Sequence, residues 1–134
     1  MIAPRFTTAP TLADLEVLAD RALMSLPPAF LAPIRGLAIR VEDFPDEETI
    51  DEMDLESEFD ILGLYRGVDL AHGSIHDVRT SLDAILLYRR PILDYWCETG
   101  EDLADIVRHV LIHEIGHHLG LSDDDMERIE EAAG

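Results

Sequence analysis

The chain has 134 residues, 29 of them acidic and 10 basic, for a formal net charge of −19. This length suits one domain spanning residues 1–134, and a hydrophobic content of 47% is too high for a disordered acidic tail. Nucleic acids and anionic membranes both call for a basic surface, so neither is an expected partner.

Cys97 is the single cysteine, which excludes an internal disulfide and a thiolate zinc cluster within one chain. Met1–Pro10 carries one arginine and no apolar core of signal-peptide length. No run of about 18 apolar residues exists to cross a bilayer. A cytoplasmic location is the expectation.

The first predicted element is an amphipathic helix over residues 11–26, with Leu15, Leu18, Ala19, Ala22, Leu23 and Leu26 at helical spacing. Thr11 is its N-cap, with Asp14 three residues on, and Pro27-Pro28 stops it. Residues 28–34 add a short turn. Residues 36–42 alternate apolar and polar side chains around Leu37, Ile39 and Val41, a strand signal. An acidic stretch follows, with 11 acids and no base between Val41 and Asp60. Such a run reads as solvated surface, in which Ile50, Met53 and Leu55 pin a short helix.

Residues 60–66 form a strand or turn, and residues 71–81 a polar loop. Residues 82–89 (LDAILLYR) make the strongest strand pattern in the chain. Pro91 ends it or opens a short helix over 91–98. Thr99, with Asp102 three residues on, caps a long helix running to Leu119, and Gly120 ends that helix. Ser122 caps a last helix over 123–132, whose first turn holds Asp123, Asp124 and Asp125 where the helix dipole favours acids.

The long helix carries the chemistry. It contains His113-Glu114-Ile115-Gly116-His117, an H-E-x-x-H motif. Two histidines four apart share a helix face, so both imidazoles reach one metal ion, and neutral imidazole suits zinc. A catalytic zinc takes three protein ligands and leaves one position for water. Glu114, turned about 100° from His113, reaches that water as general base without binding the metal.

Helical geometry predicts a buried setting. With Leu103 at 0°, Ile106, Val107, Val110 and Leu111 fall between about 300° and 80°. His113, Glu114 and His117 fall at about 280°, 20° and 320°, continuing that stripe. Ile112, Ile115 and Leu119 lie opposite, at about 120° to 180°. The second half of the helix is therefore expected to be covered on its back, with its polar front flooring a cleft. Gly116, unfavourable in a helix interior by about 1 kcal/mol against alanine, suggests a close backbone neighbour, with chance as the other explanation.

The spacing continues through His118, Leu119, Gly120, Leu121 and Ser122 to Asp123, which makes H-E-x-x-H-x-x-G-x-x-D. A glycine three residues after His117 lets the chain reverse, and a carboxylate six after it swings back to the metal. The pattern resembles the metzincin arrangement of zinc peptidases, with aspartate in place of the more common third histidine. In zincin folds an edge strand near the motif helix pairs with extended substrate, and the strand pattern at 82–89 precedes that helix.

Segments LGLYRGV (62–68), LYRRPI (87–92) and HEIGHHLGL (113–121) together resemble a family of small bacterial minimal metalloprotease-like, or zincin-like, domains. The resemblance covers most of the chain. It implies an α+β fold with a short mixed sheet packed against the motif helix and further helices. It also implies a zinc metallopeptidase whose natural substrate is unassigned. On this reading His113, His117 and Asp123 hold Zn2+, with Asp124, Asp125 and Glu127 as substitutes for the third ligand, and Glu114 is the general base. The partner is a peptide or protein substrate, and a protein partner could complete so small a cleft. Met126 is too close to Asp123 to read as the methionine under the metal site.

His109, near 240° on the same wheel, is expected to drift off the ligand face. His118 reads as a neighbouring or surface residue, and His72 and His76 as surface residues in a loop. Arg89 and Arg90 are expected to hold nearby acids, with binding of a substrate carboxylate as the other role. Tyr88, Tyr95 and Trp96 read as core or rim packing.

Two other functions fit parts of the pattern. Some bacterial metallo-endoribonucleases carry H-x-x-x-H-x-x-G-x-D-H; this chain lacks the last histidine, has Glu114 where they have a small residue, and is strongly acidic. A non-enzymatic acidic interaction domain with a structural or vestigial metal site is the third reading.

Overall fold

The computed structural model describes residues 8–32, 37–66 and 84–133. His72, His76 and the expected loop at 71–81 lie outside them. No helix among the described residues is long and apolar enough to cross a membrane.

Helix α1 (Leu12–Met24) starts where the sequence places its cap. Thr11 Oγ1 accepts from Asp14 N, and Asp14 Oδ2 accepts from Thr11 N, a reciprocal capping box. Leu15, Ala19 and Ala22 are buried on one face. A single turn, α2 (Pro28–Leu31), follows, and Phe30 anchors it. Strand β1 (Ala38–Glu42) leads to α3 (Glu47–Glu52), which is capped by Asp46. The buried residue of α3 is Thr49, whereas Met53 is exposed and Ile50 and Leu55 are half-buried. Arg66 Nη2 donates to Thr49 Oγ1 at 2.6 Å, so a polar tether does the pinning expected of the apolar residues.

Among the described residues, strands β2 (Gly63–Arg66) and β3 (Ala84–Tyr88) join β1 in a three-stranded mixed sheet of order β1-β3-β2. β1 runs parallel to β3, from Ala38 opposite Ala84 to Glu42 opposite Tyr88. β2 runs antiparallel to β3, from Gly63 opposite Leu87 to Arg66 opposite Ala84. The strongest strand pattern thus belongs to the central strand, and β3 has no free edge to offer a substrate. Ile85, Leu86, Leu87 and Tyr88 are all buried, the continuous apolar run of a strand covered on both faces. Among the described residues, the edge strand beside the motif helix is β2.

Helix α4 (Arg89–Thr99) begins two residues earlier than expected, with Pro91 tolerated in its first turn. Arg89 Nε donates to Pro10 O at 2.6 Å and its Nη1 to Asp43 Oδ1 at 3.0 Å, while the Arg90 guanidinium lies 5.5 Å from the Phe44 ring. Both arginines tie the start of α4 to neighbouring segments. Thr99 does not cap the long helix. It closes α4, donating to Tyr95 O, and Gly100 at φ 70° ends the turn there. The glycine breaks the chain direction, so the next carboxylate, Asp102, caps α5 (Leu103–Leu119) by accepting from Asp105 N. Gly120, also at φ 70°, ends α5, and Ser122 Oγ accepts from Asp125 N at the start of α6 (Asp123–Ala133).

The fold is α+β, and α5 is its centre. Its first half buries Leu103, Ile106, Val107, Val110 and Leu111, and its second half Ile112, Ile115 and Gly116. The back of the motif is covered as the wheel requires. α1, β2, α6, α4 and β3 all pack on this helix.

Candidate functional site

Two side-chain rows of α5, each with a spacing of four residues, set the geometry. β2 runs along the row Val110, Glu114, His118. Gly63 lets the strand approach the helix closely: a Cβ there would stand 2.6 Å from Val110 Cγ1 and 3.0 Å from the Leu86 carbonyl oxygen. Two residues on, Tyr65 N donates to Glu114 Oε1 at 2.9 Å. The Tyr65 ring lies 4.5 Å from the His118 ring, tilted by 58°.

On its other flank α5 meets α6. A Cβ on Gly116 would fall on Met126 Sδ and within 2.7 Å of Met126 Cγ. Met126 is 1% exposed. The close neighbour of the motif glycine is thus a side chain and not the backbone expected, and Met126, too near Asp123 to read as a residue under the metal site, lies directly against the motif helix. Ser122 and the chain reversal at Gly120 bring it there.

Between these flanks lies a second row: His109, His113 and His117, one per turn. His117 is 59% exposed, with Nδ1 3.5 Å from Glu114 Oε1. Glu114 is 14% exposed, and burial pushes its carboxyl pKa above the usual glutamate value, against the opposing pull of the Tyr65 N–H and of His117. Burial, and next the charge of His109, hold His113 below the usual histidine range, which favours the neutral, metal-binding imidazole.

His109 stands with its ring 4.2 Å from that of His113. The wheel measured His109 against Leu103; measured against His113, four residues give only about 40° of rotation. Its Nδ1 lies in close contact with Glu130 Oε1 from α6. Among the described residues, the group whose ligand atoms all lie within 4.8 Å of one another is His109, His113 and Glu130. Asp123 is exposed at the first turn of α6; its charge reaches His113, but it is not in that group. A cavity of about 460 Å³ opens at the same end, against His109, Glu130, Tyr95, Glu101 and Arg108.

The sequence profile of the zincin-like metallopeptidases matches residues 34–133. The chain belongs to that family. A solved structure, a conserved hypothetical protein from T. thermophilus, is similar at 25% identity, with a TM-score of 0.54. The match covers 82% of this chain and 94% of that one. Among curated proteins none matches.

For a zincin-like protein the relevant test is whether the donors present suit a divalent metal. They do. Imidazoles spaced by one turn on one helix, a half-buried His113 favouring its neutral form, and carboxylates from the neighbouring helix make a nitrogen–oxygen donor set of the zinc type.

Proposed function

We propose that the chain is a zinc-dependent peptidase in which His113, His117 and Asp123 hold the metal and Glu114 is the general base. Zinc, when bound, supplies Lewis-acid polarisation of the scissile carbonyl and makes water more acidic. The observation that carries the reading is the setting of Glu114. Its carboxylate lies on the motif helix, shielded from solvent, with Oε1 fixed by the Tyr65 N–H of β2.

That hydrogen bond orients the carboxyl plane and leaves Oε2 to take a proton from the attacking water. A raised pKa brings the carboxyl nearer the working pH, where it both accepts that proton and returns it to the leaving amine. β2, lying along the same helix row, is the strand beside which an extended peptide would lie. The acidic surface favours neutral or cationic peptide segments over RNA.

The test has two parts. After zinc reconstitution, metal analysis is expected to give one zinc per chain, lost in His113→Ala and weakened in His117→Ala and Asp123→Ala. Quenched-fluorescence peptide mixtures are then expected to be cleaved by the zinc-loaded protein and not by Glu114→Ala, which keeps its metal. No stoichiometric zinc, or hydrolysis surviving Glu114→Ala, would sink the reading.

A further inference from the structure

We propose that His109, His113 and Glu130 form a divalent-cation site of the zinc type, one helical turn before the H-E-x-x-H pair. It shares His113 with the reading above and needs neither His117 nor Asp123.

Three observations carry it. First, the ligand atoms of these three residues lie within 4.8 Å of one another. A tetrahedral zinc with bonds of about 2.1 Å holds its ligands about 3.4 Å apart, so closure needs side-chain movements of about 1 Å. His109, 58% exposed, has the freedom to make them. Second, Glu130 Oε1 is shut off from solvent and, among the described residues, accepts no hydrogen bond of ordinary geometry. Its close contact is with His109 Nδ1. A carboxylate oxygen in that position is costly without a cation, and a metal between it and the two imidazoles supplies one. Third, there is a route in. The cavity beside His109 and Glu130 is also lined by Glu101 and Asp105. Arg108, also in its wall, is paired to Asp105 at 2.7 Å, so the field at its mouth still favours cations.

The donor set selects the metal class. Two imidazoles and one carboxylate suit Zn2+ and its analogue Co2+ rather than Ca2+ or Mg2+, which prefer all-oxygen cages. The ligands come from two helices, so an ion here also clamps α6 onto α5, beyond the Met126–Gly116 contact.

The experiment uses the full chain carrying His117→Ala, which disables the motif pair. Titration with Co2+, read by its visible d–d absorption, is expected to fill one site per chain with nitrogen–oxygen coordination. Adding His109→Ala or Glu130→Gln is expected to weaken it by at least about 100-fold, since even residues that only support a ligand are worth 10- to 100-fold. Circular dichroism confirms that each variant is folded. In His117→Ala with the other residues intact, Zn2+ is expected to shift the imidazole proton resonances of His109 and His113 together. The proposal is overturned if His117→Ala binds no Co2+, if Glu130→Gln leaves affinity and spectrum unchanged, or if the His109 resonance does not move. None of these outcomes touches the peptidase reading, which fails separately through Glu114→Ala.

Discussion

Two glutamates flank the histidine row of α5, and they are held in opposite ways. Glu114, on α5 itself, has Oε1 fixed by a backbone N–H of β2. Glu130, on α6, has its buried oxygen against an imidazole, with no hydrogen bond of ordinary geometry. A carboxylate tied down by a neutral amide is oriented but stays available to a proton. A carboxylate beside two imidazoles is placed as the proposed cation site requires. The same side chain is thus given two different settings by what packs against it.

The largest expected effect removes the support common to both. Ile115 is fully buried on the back of the motif. Ile115→Ala is expected to destabilise the fold by about 2–5 kcal/mol in urea unfolding and to weaken metal binding at both ends of the row. A variant that kept full stability would show that the back of α5 is not the shared support.

Gly116→Ala comes next and bears on the α6 flank. The added Cβ meets the buried Met126 side chain, and overpacking of this kind costs about 1–3 kcal/mol. The cost is expected to shrink when Met126→Ala is already present, which a double-mutant cycle of melting curves measures. Additive effects would mean that Met126 does not account for the glycine.

Asp46→Ala is the control on a segment away from the row. It removes the N-cap of α3, worth about 1 kcal/mol, and should leave both ends of the row unchanged. Hydrogen bonds from the Thr49 side chain and backbone hold the Asp46 pKa below 3.8. Its contribution is therefore present above pH 3.8 and lost as pH falls through the lowered folded-state value. The gap between wild type and variant should close in acid, in thermal melts at stepped pH.

The smallest effect sharpens the contrast between the glutamates. Glu114→Gln keeps an oxygen to accept from Tyr65 N while removing a charge that burial disfavours. Because the folded-state pKa of Glu114 lies above 4.5, its contribution is full below that pH and lost as pH rises through the raised value. The metal-free glutamine variant should match wild type below about pH 4.5 and melt slightly higher at neutral pH. A lower melting temperature at neutral pH would show that the ionised carboxylate stabilises the fold.

Local signals placed most elements because their causes are local. Thr11 with Asp14, Gly120 at φ 70° and Ser122 with Asp125 mark helix ends through contacts between residues at most a few positions apart. The switch of apolar side chains from one face of α5 to the other was legible for the same reason. Thr99 misled because two caps compete there, and the left-handed turn at Gly100 assigns Thr99 to α4 and Asp102 to α5. The residues that set the site apart were harder to read. Tyr65 meets Glu114 from 49 positions away, through a backbone N–H that carries no sequence signature. Glu130 had no motif, and an i, i+4 count from His113 back to His109 was the one signal that pointed to that end of the row.

The sequence by itself determined the α+β class, the H-E-x-x-H helix, its buried back and the chain reversal after it, because helix periodicity and capping chemistry act within a few residues. Only the tertiary structure decided that β3 lies between β1 and β2, that Met126 fills the space left by Gly116, and that Glu114 and Glu130 face different neighbours. Strand order and helix docking come from apolar surface buried between segments far apart in the chain. That burial has no preferred sequence spacing, so it becomes visible only once the segments are packed.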